Sequence, residues 1–349
     1  MLLACFGNAQ KVTNVRFERN DKEVTITYSL DKKADIRVAA SINQGRTYGE
    51  WIENFSGDAG KGVAPGEKKI LIYDLPDLHE VPWVIDTLTG LCLNDTLISF
   101  MVEVDDGSVD IPLGDYRFRM MYVEGGSFTM GCTRPNAIKH SYEESFPTHK
   151  VTVDTFYMSR YEVTQKMWNT VMGTNPSRWQ YSDSLPVEQV SYNEVQVFIA
   201  RLSQMTGYRF RLPTEAEWEF AARGGVRSKG HAFPGCDGNP GPVAWYGMNS
   251  SNVTHPVGRL QPNELGLYDM AGNVWEWCSD WYSDYTSEAQ NNPRGPKHGE
   301  NRILRGGCLN SPSWGCAVFD RSWYVPDYGY GFHGFRLVLD SVEEPEEDY

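Results

Sequence analysis

Apolar and polar residues alternate through the first hundred positions of the chain. In KEVTITYSL, Val24, Ile26, Tyr28 and Leu30 share one face; in ADIRVAASI, Ile36, Val38, Ala40 and Ile42 do the same. Each run therefore predicts a half-buried strand, with the charged DKK as the turn between them. GKGVAPGEKKILIYDL adds a Gly/Pro loop and a further strand, and DTLISFMVEVDDG one more. Short strands at this spacing predict an immunoglobulin-like β-sandwich over residues 11–105. No catalytic constellation falls within it, which suits a spacer or docking module.

The pattern changes at DDGSVDIPLGDYRF, so residues 106–116 read as a linker and 117–340 as a second domain. Two helices are signalled there by their ends. Ser191 stands three residues before Glu194 as a capping box, Val195, Phe198, Ile199 and Leu202 line one face, and Gly207 supplies the stop. Thr214 and Glu217 repeat the same grammar ahead of Gly224 and Gly225. A shorter helix is predicted in TQKMWNTVMG, ended by Gly173. Beyond residue 225 no long periodic stretch occurs, which predicts loops and short strands held by specific contacts. The fold class is thus α+β, mostly β, without an internal repeat.

Composition sharpens this picture. With 11 Trp, 19 Tyr and 33 Gly in 349 residues, aromatic packing in an irregular, loop-rich fold is expected. The net charge of -14, with no cluster of Lys and Arg, excludes nucleic acid as a partner class. Part of that charge is an acidic tail at 341–349. No apolar run reaches the roughly eighteen residues that a transmembrane helix needs. MLLACFGNAQ reads as the end of a secretory signal, residues 1–10, cleaved after Ala9; alternatively Cys5 in LLAC is a lipid-anchored cysteine. Either predicts export, to the periplasm or cell surface, where disulfides are permitted.

The segments MYVEGGSFTMG (121–131), YEVTQKMW (161–168), RLPTEAEWEFAARGG (211–225), NELGLYDMAGNVWEWCSDWY (263–282), RILRGGC (302–308) and GFHGFRLV (331–338) occur in order. Together they resemble the sulfatase-modifying-factor domain, the fold of formylglycine-generating enzyme, over about residues 117–340. The resemblance implies a variant of the C-type lectin architecture. It also implies, for oxidase members, copper(I) held by two cysteines that oxidises a sulfatase cysteine to formylglycine. In those members the cysteines stand fourth and ninth after the paired glycines.

Counted from Gly307, the ninth residue here is Cys316 but the fourth is Ser311. A hydroxyl is a hard, protonated ligand that cannot replace a thiolate on copper(I). Cys308 follows the glycines directly, and three residues of extended chain separate it from position 311 by roughly 10 Å. The stretch departs from the oxidase pattern.

The resemblance further implies calcium at Asp269, Gly272, Val274 and Glu276, a set of side-chain and carbonyl oxygens suited to a hard cation. Disulfides are open as Cys278–Cys316 or Cys308–Cys316, with Cys132–Cys236 as a further bridge; free buried thiols are the alternative. The seven histidines form no HxxxH or HxE grouping, which counts against iron-dependent sulfoxide synthases and zinc hydrolases; His149 and His255 read as hydrogen-bonded structural residues. Most tryptophans read as core, whereas Trp314, Trp323 and Tyr324 fall where the oxidases line their peptide groove and are candidates for an exposed recognition surface. The expectation is an exported, non-catalytic binding or structural protein with a protein or peptide partner at the cell envelope. A copper-dependent oxidase and a lectin-like carbohydrate binder are the alternatives.

Overall fold

The computed structural model describes residues 107–134 and 143–340, together with N-terminal strands at 12–19, 23–30, 34–41, 55–57, 60–63, 66–73 and 99–104. The expected signal remnant with Cys5 and the acidic tail lie outside the described residues. The chain divides into two compact units, Met1–Asp106 and Gly107–Tyr349.

In the first unit the alternating runs become strands, and further strands flank them. They are β1 (Val12–Arg19), β2 (Glu23–Leu30), β3 (Ala34–Ser41), β4 (Phe55–Gly57), β5 (Gly60–Val63), β6 (Gly66–Tyr73) and β7 (Ser99–Val104). They form two antiparallel sheets, ordered β1-β2-β6-β4 and β5-β3-β7.

The second unit begins where a linker was expected. Val109–Leu113 is a strand, β8, in antiparallel register with β9 (Tyr116–Val123). Ile111 and Leu113 are buried, so the apolar alternation is real. The neighbouring Asp, Pro and Gly, which also suit a turn, hide it in the sequence. After β9 come β10 (Gly126–Met130), β11 (His149–Val153) and β12 (Phe156–Ser159). Then follow the helices α1 (Gln165–Met172), α2 (Tyr192–Thr206) and α3 (Glu215–Ala222), with β13 (Phe210–Arg211) between the last two. The remaining strands are β14 (Trp275–Trp281), β15 (Gln290–Asn291), β16 (Arg302–Arg305), β17 (Arg321–Tyr324), β18 (His333–Gly334) and β19 (Val338–Leu339). Three curled sheets result, ordered β10-β11-β15, β13-β19-β12-β9-β8 and β17-β16-β14-β18.

The helix ends follow from local chemistry. Ser191 Oγ accepts the N–H of Glu194 at 3.2 Å while the Glu194 carboxylate accepts the N–H of Ser191 at 2.8 Å. Thr214 and Glu217 form the same reciprocal pair. Gly173 and Gly207 end α1 and α2 in the left-handed conformation that glycine adopts without strain. Val195, Phe198, Ile199 and Leu202 are all buried, each contributing about 2 kcal/mol by removal from water. Phe198 stacks on Trp168 of α1 at 5.2 Å and meets Phe335 edge-on at 5.3 Å.

Loops take over beyond α3, and buried arginines hold them. Arg305 donates to Glu219 of α3 at 2.6 Å and to the carbonyl of Val318 at 2.9 Å. Arg321 forms a two-pronged pair with Glu215 at 2.6 and 2.8 Å. Removing one partner of such a pair strands a buried charge, at a cost of about 3–5 kcal/mol. The C-terminal segments are thereby fixed against α3 without long regular structure.

Candidate functional site

β16 delivers the chain to Gly306 and Gly307, both at positive φ. A Cβ on Gly307 would lie 2.4 Å from the carbonyl oxygen of Gly315, so the return of the chain over this glycine leaves no room for a side chain. Between them sits a tight loop. Ser311 N–H donates to the carbonyl of Cys308 at 2.9 Å, and Ser311 Oγ accepts the N–H of Cys308 at 2.9 Å. The hydroxyl that occupies the fourth position after the glycines is therefore a loop closure, and its oxygen lies 3.6 Å from Cys308 Sγ, which corrects the roughly 10 Å expected of an extended chain, because the backbone turns back on itself here. The Cys308 thiol donates to Asn310 Oδ1 at 2.9 Å.

A short 3-10 turn, Ser313–Cys316, then buries Cys316 completely. Its thiol is pushed far up, first by burial and then by the neighbouring Cys308 and Asp320, all of which oppose a thiolate. Burial also lifts the Asp320 carboxyl to about 7, against the pull of Arg305. All five described cysteines are free thiols, which corrects the expected bridges Cys278–Cys316, Cys308–Cys316 and Cys132–Cys236. Burial also raises the thiols of Cys278, Cys132 and Cys236.

The expected recognition residues split between two faces. Successive side chains of a strand point to opposite sides. On β17, Trp323 packs on Tyr282 with ring centres 4.2 Å apart, while Tyr324 turns toward Tyr328, Tyr330 and His333 at 6.4, 6.1 and 5.0 Å. Tyr328 and Tyr330, which no sequence pattern marked, are 59% and 54% exposed, and Trp314 is 47% exposed on its own turn. His333 forms the buried floor of the tyrosine group; burial alone lowers it to about 4, so it is neutral at physiological pH. His149 and His255 each have a ring nitrogen within hydrogen-bond distance of a main-chain carbonyl, as expected of structural histidines.

The expected calcium ligands surround a buried charge cluster. Glu276 accepts Arg336 at 2.7 Å on each oxygen and Trp218 Nε1 at 2.6 Å on Oε2. Asp269 Oδ2 accepts the N–H of Gly258 at 2.7 Å, and its Oδ1 is buried without a hydrogen-bond partner. Glu162, missed in the sequence, joins them and accepts Asn273 Nδ2 at 2.7 Å and the N–H of Val274 at 3.2 Å. Burial first, then Asp269 and Glu276, push Glu162 well up; burial lifts Asp269 to about 6. Three carboxylates thus share Arg336, and the surplus negative charge calls for protons or a cation.

The unpartnered Asp269 Oδ1 and this surplus fit calcium. Glu276 fits less well, since Arg336 already occupies it; Oε1, with a single donor, is the oxygen left over. Among the described residues no group of three His, Cys, Asp or Glu side chains could hold a metal ion by itself, so the carbonyls of Gly272 and Val274 would have to complete the set.

Comparison with known proteins gives the family. The sulfatase-modifying factor enzyme 1-like domain family matches residues 116–341. A chaperone protein LppX from Paenibacillus barcinonensis is 35% identical, over 47% of this chain and 72% of its own. The formylglycine-generating enzyme of Mus musculus is 30% identical, over 64% of this chain and 76% of its own. Among solved structures, Treponema denticola variable protein 1 superimposes with a TM-score of 0.62 at 29% identity, over 67% of this chain and 99% of its own.

Proposed function

Starting from the fact that the chain belongs to the sulfatase-modifying factor enzyme 1-like family, we propose that it is a non-catalytic binding protein of the cell envelope. One observation carries the reading: Ser311 is a loop closure, and its hydroxyl leaves Cys316 without a thiolate at the fourth position. Copper(I) needs two soft ligands, and a thiol held protonated by burial is a poor one. Relatives of both kinds agree with a family that separates fold from chemistry, since one is named an enzyme and another a chaperone.

The binding surface in this reading is the tyrosine group, half-buried Tyr324 with exposed Tyr328 and Tyr330, with exposed Trp314 as a second anchor. Aromatic side chains bury large area at low conformational cost and carry a polar tip, which suits a protein or peptide partner. Export through the N-terminal segment, and an immunoglobulin-like sandwich as the spacer that carries the family domain, complete the proposal. Calcium belongs to it as a structural ion held by Asp269, Glu276 and the carbonyls of Gly272 and Val274.

Site-specific photo-crosslinking in the native envelope tests the surface. A crosslinker at position 328 is expected to trap a discrete partner band that one at Met205, exposed on α2, does not. Identical products from both positions, or none at 328, would refute a binding role for this face.

A further inference from the structure

The tyrosine group does not end at Tyr330. Ring centres step from Tyr328 to Tyr324 at 6.4 Å, to Tyr330 at 6.1 Å, to Phe332 at 6.0 Å and to Trp179 at 5.9 Å. Tyr328 and Tyr330 are exposed, and Tyr324, Phe332 and Trp179 are half-buried, so the row reaches the surface along its length.

Main-chain contacts hold the row in place. The N–H of Trp179 donates to Glu188 Oε1 at 3.2 Å, and its carbonyl accepts Gln165 Nε2 at 2.7 Å. At the other end the N–H of Asn193 donates to the carbonyl of Pro326 at 3.3 Å. Gly329 lies so close to Gln189 that a Cβ on it would stand 2.5 Å from the Gln189 carbonyl oxygen. A surface fixed in this way loses little freedom when it binds.

His333, 4% exposed, packs against Tyr324 and Tyr330, and its Nδ1 is buried without a hydrogen-bond partner. A buried orphan N–H is rarer and costlier than an orphan lone pair, so the favoured tautomer keeps the ring proton on Nε2. Among the described residues the ring makes no hydrogen bond, which leaves that donor unused. The row is rich in donors altogether. The tyrosine hydroxyls, the Trp179 indole and the exposed Arg178 guanidinium, centred 5.1 Å from the Trp179 ring, add to His333.

A polyproline II segment is the complement of such a row. Its carbonyls are free acceptors, its prolines carry no N–H, and its pyrrolidine rings fill clefts between aromatic side chains. A glycan would instead bring a donor on every hydroxyl. The Asp327 carboxylate, beside Tyr328 and bound by the Asn193 amide, makes that end of the row acidic, and the net charge of -14 favours a basic ligand. We propose that the row binds a proline-rich segment of a partner protein in the polyproline II conformation, with a basic residue of the segment at the Asp327 end, a ligand class that rests on the tyrosine group being the binding face.

The test titrates the full chain into a fluorescein-labelled decaproline peptide ending in arginine, read by fluorescence anisotropy. Saturable binding is expected. Tyr328→Ala and Tyr330→Ala should each weaken it at least about tenfold with the melting temperature unchanged, since both side chains are exposed, and Met205→Ala should leave it as it was. Asp327→Asn should weaken the arginine-bearing peptide about threefold and plain decaproline not at all. No saturable binding up to ~1 mM peptide, or equal binding by the parent and Tyr330→Ala, would overturn the proposal. A partner band trapped at position 328 that excess decaproline fails to displace would also overturn it, and so would capture of a soluble oligosaccharide in place of the peptide; either result would leave the face itself as a binding surface.

Discussion

Ser311 Oγ accepts the main-chain N–H of Cys308 at 2.9 Å, and the loop that joins the paired glycines to Cys316 is closed by that bond. A sulfur at 311 would be longer and a weaker acceptor, so this hydrogen bond and a copper-binding thiol exclude one another. Ser311→Ala should destabilise by about 1 kcal/mol through the lost buried bond. Ser311→Cys should cost a similar amount yet raise copper(I) affinity well above that of Ser313→Cys, as read by competition with a chromogenic copper(I) chelator. Equal affinities in the two variants would show that position 311 does not face Cys316.

Glu188 makes stability depend on pH. Its Oε1 accepts the N–H groups of Arg178 and Trp179, while its Oε2 is buried without a hydrogen-bond partner. Burial lifts the carboxyl to about 7 against those two N–H bonds. An unfolded Glu titrates near about 4.3, so between the two values the folded state keeps a proton that the unfolded state has lost. Stability from this group is therefore full at low pH and falls as pH rises toward 7. Glu188→Gln keeps the acceptor and removes the charge. It should be more stable than the parent by about 1–3 kcal/mol near pH 8, with the difference gone near pH 4. Denaturant melts at the two pH values check this, and a variant destabilised at the higher pH would contradict it.

The calcium proposal makes a separable claim. Chelation with EDTA should lower the melting temperature and added calcium should restore it. Asp269→Asn should abolish that response while leaving the Glu276–Arg336 pair intact. Glu276→Ala should melt low with or without calcium, since it strands Arg336 at a cost of about 3–5 kcal/mol. A melt indifferent to EDTA, with no calcium by elemental analysis, would leave protons as the charge compensation among Glu162, Asp269 and Glu276.

What the sequence made legible was local. Ser191 with Glu194, and Thr214 with Glu217, act within one turn, so their spacing alone announces two helices. The strands at 23–30 and 34–41 are equally plain, because alternation is a nearest-neighbour signal. The family segments also carried the architecture. Arg336 and Glu276 are 60 positions apart and Glu162 reaches Val274 across 112, so no window of sequence contains either relationship. Tyr328 and Tyr330 lie in a loop without periodicity, and only the path of β17 shows that they share the side of Tyr324. The disulfide expectation rested on compartment chemistry, which permits bridges without saying which thiols meet.

The loss of the copper pair is the central claim, and turnover tests it most directly. Purified protein, reduced and supplied with copper(I), oxygen and a cysteine-containing peptide of the sulfatase type, should yield no aldehyde when the product is trapped with a hydrazide and weighed by mass spectrometry. Aldehyde formed by the parent protein and abolished by Cys316→Ala would contradict the account, and would mean that Cys308 supplies the second thiolate in spite of Ser311.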